Sequence, residues 1–252
     1  MSRAPEHFKF SLGVILYPLL LVFAMLIVFW FELRFHQNFT DHGILPRTVS
    51  GLQGILFSPF IHATLQHLYN NSIPFIVLMG GLFYFYRAVA WKVFLLLFLF
   101  SGFGTWLIGR EAYHIGASGI VYGLAAFLFF KGIWSGHYRL TAFSLIVIFL
   151  YGSLVWGTMP LDPGMSWEGH LCGFLSGLLL AFFIKQKIPN PIKYEWENPD
   201  FKEENDPFLR HFDENGNFIE FLPEEEEVEN ENEIEDESSC VEKNDSAIRK
   251  EK

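Results

Sequence analysis

The chain has 252 residues, 51% of them hydrophobic, with 29 Phe and a formal net charge of −10. Up to Lys185 it carries ten Lys or Arg and six Asp or Glu, whereas the remaining 67 residues hold 22 acidic and eight basic side chains, so a mildly basic apolar body is joined to an acidic tail. No basic patch interleaved with aromatics and no Gly-rich phosphate loop is present, which excludes the usual nucleic-acid and nucleotide binders.

The body contains six long uncharged runs, Ser11 to Phe31, Leu68 to Tyr86, Val93 to Gly109, Ala112 to Phe130, Leu140 to Leu161 and Leu171 to Ile184. A hydrocarbon core of about 30 Å takes about 20 helical residues to cross, so five runs read directly as transmembrane helices. The first is too long for a signal peptide, and no small-residue cleavage site precedes Glu32. Arg3, Lys9, Arg87, Lys92, Lys131, Arg139, Lys185 and Lys187 fall on one side, and Arg34, Arg47 and Arg110 on the other. The positive-inside rule then makes both termini cytoplasmic. That parity requires six crossings, and the expected fold is all-α: a polytopic bundle of six transmembrane helices over residues 11–187, after a cytoplasmic N-terminus of residues 1–10.

The connection from Glu32 to His67 is too apolar for a simple solvated loop. It is expected to lie partly in the membrane interface as short helical turns, with Pro46 and Pro59 as breaks. Loops on the inner side are very short, so the helices they join are expected to pack as antiparallel neighbours. Pro74 should kink the second helix. Residues 188–252 are too acidic to bury enough apolar surface and are expected to be a disordered cytoplasmic tail. Its aromatic points, Trp196, Phe201, Phe208, Phe212, Phe218 and Phe221, leave open a docking peptide for a cytoplasmic partner. Cys172 and Cys240 supply no disulfide framework and no metal spacing with the nine histidines, so neither metal nor cofactor is expected.

Counting 1.5 Å per residue from the inner helix ends puts Ser118 about 12 Å, His170 about 9 Å and Asn71 about 8 Å beneath the outer face. For this, the sixth span must include His170 and begin near Trp167. The three helices enter from the same side, so all three residues sit near helix N-termini, whose unpaired N–H groups and positive dipole end suit a developing negative charge. Imidazole has the pKa to take a serine proton, so Ser118 and His170 make a nucleophile and base dyad. Asn71, His67 and the Ser118 backbone N–H can supply oxyanion donors. Tyr122, one turn after Ser118, can hold the imidazole by stacking. No carboxylate shares the layer, and Glu168 should face the outer surface.

Taken singly, these residues have plainer uses. Ser118 among Gly116, Ala117, Gly119 and Gly123 can simply let helices approach, as can Gly173 and Gly177. Asn71 can merely cross-link helices, and an intramembrane histidine can serve proton or metal transport. A proton-coupled transporter, however, calls for carboxylates in helix interiors, and the six of the body fall at or outside helix ends.

Together these motifs resemble the rhomboid family of intramembrane serine proteases over about Leu45 to Phe183. "HATLQHLYNN" is similar to the family's second-helix pattern, which implies that His67 and Asn71 assist the oxyanion while His62 supports them. "GASGIVYG" resembles the nucleophile motif, with Ser118 as nucleophile, Tyr122 under the catalytic histidine and Gly116 in the supporting set. "GHLCGFLSG" is similar to the sixth-helix motif, with His170 as base. The Trp-Arg pair that many members carry in the first external loop is reduced here to Arg47 in "LPRTVSG". The resemblance implies an integral protein of a bacterial cytoplasmic membrane that cleaves other transmembrane proteins near their outer side, with substrate entering beside the second and fifth helices. The loop over 158–168 is expected to roof a water-filled cavity. The alternative is a non-catalytic rhomboid-like protein that holds membrane clients without cutting them.

Overall fold

The computed structural model describes residues 8–162, 164–186, 194–197, 199–202, 206–213 and 215–220. Among these residues the secondary structure is helical, apart from two isolated β-bridges. The α-helices are α1 (Gly13–Phe35), α2 (Gly54–Phe57), α3 (Leu65–Phe85), α4 (Ala90–Ile108), α5 (Ser118–Trp134), α6 (Tyr138–Tyr151) and α7 (Trp167–Phe183). By length and composition α1, α3, α4 and α6 with its 3-10 extension Gly152–Thr158 can cross a membrane. The other two long helices, α5 and α7, are apolar but have only 17 residues.

Each uncharged run became one helix, and α7 starts at Trp167, early enough to include His170. The fourth run departs from expectation, because it is helical only from Ser118 and not from Ala112. Its first residues are committed elsewhere. Ile44 and His114 exchange backbone bonds of 3.0 and 2.9 Å, and the Gly116 N–H donates to the Ser58 carbonyl at 2.8 Å. A chain whose N–H and C=O groups are already paired outside the helix gains nothing by winding further.

The core is organised around α5, which packs against α3, α4, α6 and α7. This helix meets α7 at backbone contact, since a Cβ on Gly173 would stand 1.9 Å from the Gly119 carbonyl oxygen and one on Gly177 2.1 Å from that of Gly123. Small residues on both helices let the backbones touch. Of the two pairs joined by short loops, α5 and α6 pack as expected, whereas α3 and α4 meet through ring contacts, Phe83 with Trp91 (5.1 Å) and Phe75 with Phe94 (6.3 Å). Their main backbone contacts are with other helices, α3 with α1 and α5, α4 with α7 and α5. The reason is that α5 occupies the centre, and each neighbour buries its apolar face on it.

The segment between α1 and α3 forms short turns, the 3-10 pieces Thr40–His42, Ser50–Gln53 and Ser58–Phe60, with α2 between the last two. It is fastened by a Trp and an Arg that are not adjacent in sequence. The Trp106 indole N–H of α4 donates to the Thr48 carbonyl at 2.8 Å, and the Arg47 guanidinium donates to the Gly109 carbonyl at 2.7 Å. At the other end of the bundle, the Lys131 ammonium donates to the carbonyls of Ala181 (3.0 Å) and Ile184 at the C-terminus of α7.

The chain divides at Pro191 into two units. In the second, Asp213 accepts from the backbone N–H groups of Asn215 and Asn217 in a turn bridged by Phe212 and Phe218. Most of the expected disordered tail, with Cys240 and Phe221, lies outside the described residues, as does most of the N-terminal segment 1–10.

Candidate active site

Three helix N-termini converge on one site. Thr64 caps α3 by accepting from the His67 N–H at 3.0 Å, an arrangement that satisfies an otherwise orphaned donor. It sets His67 in the first turn and Asn71 one turn later on the same face. Ser118 is the first residue of α5, and its backbone N–H therefore has no intrahelical acceptor. His170 sits in the first turn of α7.

The Ser118 hydroxyl donates to Nε2 of His170 at 2.8 Å. On the opposite side of the ring, Nδ1 lies 2.9 Å from the Gly157 carbonyl oxygen. A carbonyl only accepts, so Nδ1 carries the proton and Nε2 of the neutral ring presents its lone pair to the serine. The Tyr122 ring stacks beneath the imidazole, with centroids 4.1 Å apart and planes within 9°. His170, Tyr122 and Asn71 are all buried.

Asn71 donates from Nδ2 to the His67 carbonyl at 3.0 Å, which leaves the second N–H of its amide for another acceptor. The His67 ring lies against Gly116, where a Cβ would come 2.7 Å from its Nε2. Gly116 has φ +102°, a backbone region open to glycine and costly for other residues. His62 is buried beside His67, with the ring centroids 5.0 Å apart. A cavity of about 600 Å³ exposes Ser118, His170, His67, Asn71 and Tyr122 on one wall. Asp162, Gly164, Met165 and Ser166 of the loop before α7 form another.

One expectation is corrected. Glu168 does not face the outer surface but is 3% exposed, because the segment after α4 folds over the first turn of α7. Its Oε1 accepts from the Arg110 backbone N–H at 3.2 Å, with the Arg110 guanidinium Nε at 3.9 Å. Arg110 also donates to the Met165 carbonyl at 2.6 Å, and His114 bonds Ser166 and the Arg110 carbonyl. Burial holds the His114 imidazole below its ordinary pKa. Nothing in residue type or spacing pointed to this cluster, nor to Gly157, which acts through its backbone. Among the described residues no group of three His, Cys, Asp or Glu side chains is placed to hold a metal.

What this arrangement can do chemically is activate a hydroxyl. The serine has an acceptor for its proton, the acceptor has a fixed tautomer, and amide donors stand beside the place where an attacked carbonyl oxygen would sit.

A family model described as "Rhomboid domain" matches residues 50–187. Among curated proteins, an uncharacterized protein of Mycobacterium tuberculosis (strain ATCC 25618 / H37Rv) is 36% identical over 157 residues, which are 57% of this chain and 63% of that protein. An uncharacterized protein of Mycobacterium leprae (strain TN) is 35% identical over 164 residues, 59% of this chain and 62% of its own length. A protein of Acanthamoeba polyphaga mimivirus named as a rhomboid is 31% identical over 140 residues, 52% of this chain and 75% of its own length. The chain thus spans less than two thirds of the length of the mycobacterial relatives it matches.

Proposed function

The chain belongs to the rhomboid family, and we propose that it is an intramembrane serine endopeptidase that cuts transmembrane proteins near the outer face of the bilayer. The observation that carries this reading is the 2.8 Å bond from the Ser118 hydroxyl to His170 Nε2 at the wall of an open cavity.

In this reading the six long helices all cross the membrane and both termini are cytoplasmic. With 17 residues, α5 and α7 reach only about 25 Å along their axes, so their N-terminal ends, which carry Ser118 and His170, stop short of the outer surface. Water reaches them through the cavity.

Ser118 Oγ attacks the scissile carbonyl carbon while His170 Nε2 takes its proton. The resulting oxyanion is held by the Ser118 backbone N–H, the free N–H of Asn71 and the His67 ring. Collapse breaks the C–N bond, and the proton on Nε2 passes to the leaving amine. A water deprotonated by the same nitrogen then hydrolyses the acyl-enzyme and restores Ser118. The Gly157 carbonyl and the Tyr122 ring keep the imidazole in the orientation that both halves require. A substrate helix has its carbonyls paired, so it must unwind before attack, which favours segments with Gly, Pro or polar residues at the cut.

The test is covalent labelling of the detergent-purified protein with a fluorophosphonate, comparing wild type with Ser118→Ala and His170→Ala, beside a rhomboid of known activity. Labelling of wild type alone supports the protease. Equal labelling of wild type and Ser118→Ala, with the reference protein labelled, favours the client-binding alternative.

A further inference from the structure

Resting on the reading above, we propose that Gly157 is the positioning residue of the base: its backbone carbonyl stands where a triad carboxylate would, and its missing side chain makes room for the Tyr122 ring beneath His170.

Two independent features of the same residue carry this. First, the Gly157 oxygen accepts from His170 Nδ1 at 2.9 Å, on the ring edge opposite Ser118. An imidazole that relays a proton through Nε2 needs Nδ1 protonated and held, and a third group normally does this. The buried carboxylate nearest in sequence, Glu168, is engaged with Arg110 instead. Second, a Cβ on Gly157 would stand 2.0 Å from the Tyr122 hydroxyl oxygen, 3.1 Å from its Cζ and 3.3 Å from His170 Nδ1. The three groups therefore form one packed unit, with the tyrosine ring against the imidazole and the glycine closing their edge.

The segment that presents this carbonyl has little else to hold it. Gly157 lies in the 3-10 stretch Gly152–Thr158, none of whose residues is buried. The buried residues of α6 are Leu140, Ser144 and Val147, so the last turn of that helix lacks them too. A disturbance at Gly157 is thus transmitted to the orientation of His170 and has little core packing to disrupt.

The experiment measures labelling of the full chain by a fluorophosphonate, separating the saturating rate kinact from the half-saturating concentration KI, with thermal unfolding in detergent alongside. Gly157→Ala should lower kinact by about tenfold or more, equivalent to about 1.4 kcal/mol of barrier, with KI unchanged. In a Tyr122→Phe background the clashing hydroxyl is gone and the ring remains. The same Gly157→Ala change should there cost only about twofold relative to Tyr122→Phe alone, a coupling that independent sites would not show. The carbonyl is tested by replacing Thr158 with its α-hydroxy acid analogue, which turns the Gly157 linkage into an ester whose oxygen is a poorer acceptor. kinact should again fall, while the equivalent replacement at Met159, which loosens the stretch without touching the Gly157 oxygen, should not lower it. If Gly157→Ala fails to fold, the two ester variants decide. Wild-type kinact in the Thr158 ester, or an equal loss in both esters, overturns the proposal, as does a Gly157→Ala effect of the same size in both backgrounds. If wild type itself labels no better than Ser118→Ala, the protease reading has failed and the positioning role falls with it.

Discussion

His170 Nε2 accepts the Ser118 hydroxyl at 2.8 Å although 52 residues separate the two in sequence. The pair comes from helices that touch backbone to backbone through Gly119 and Gly173, so its geometry is set by main-chain contact and not by flexible side chains.

On the proposed protease function, Ser118→Ala and His170→Ala should each reduce fluorophosphonate labelling and proteolysis by a factor on the order of 10³ or more, since the first removes the nucleophile and the second leaves a serine hydroxyl without its base. Unfolding temperatures in detergent should stay within a few degrees for Ser118→Ala, which deletes a single oxygen. Loss of activity accompanied by wholesale unfolding of that variant would count against a chemical role.

On the proposed protease function, Asn71→Ala should lower the turnover of a transmembrane substrate by about 10²-fold, the usual size for one oxyanion donor, with little change in KM. A rise in KM at constant turnover would instead make Asn71 a ground-state binding group.

Gly173→Val should destabilise the protein by about 3 kcal/mol or abolish folding, because its first side-chain carbon alone would sit 1.9 Å from the Gly119 carbonyl oxygen and overpacking of that kind has no room to relax. Unfolding of the purified variant by heat or SDS reads this directly, and an unchanged midpoint would mean that α5 and α7 are not in contact there.

Lys131→Met should cost about 1–2 kcal/mol, since the ammonium satisfies carbonyls of Ala181 and Ile184 at a helix C-terminus. The loss should appear in unfolding midpoints, while the labelling rate of the folded variant stays near wild type. Lys131→Arg should recover part of the stability.

Acidification should loosen the cluster of Arg110, His114, Ser166 and Glu168 through His114. Burial holds this ring, which faces Arg110, Glu168 and Ser166, below the ordinary 6.5, so folding favours its neutral form. The contribution is whole above about 6.5 and is lost as pH falls through the folded value. Wild-type unfolding midpoints should therefore drop as pH falls below about 6.5, and His114→Gln should show a shallower slope. Parallel slopes in the two proteins would remove His114 from the account.

The existence and order of the six long helices followed from the sequence, because an uncharged run of sufficient length has few alternatives to a helix in lipid. The positions of Ser118, His170 and Asn71 in the first two turns of their helices were legible too, since height along a helix is linear in residue number. Distance in the plane is not linear in anything the chain spells out. Only the packing of α5 between its neighbours decided that α3 and α4 bury their backbones mainly against other helices, and that Ser118 and His170 meet. The folded backbone of residues 109–117 delayed the start of α5 to Ser118 and buried Glu168, while Trp106 and Arg47 joined from separate elements to fasten one loop. The carbonyl of Gly157 had no residue-type signature at all. Local pattern reports which surfaces a segment must bury, but the partner of each surface is settled by close packing among all the segments at once, and hydrogen bonds from the main chain appear only after that packing is complete.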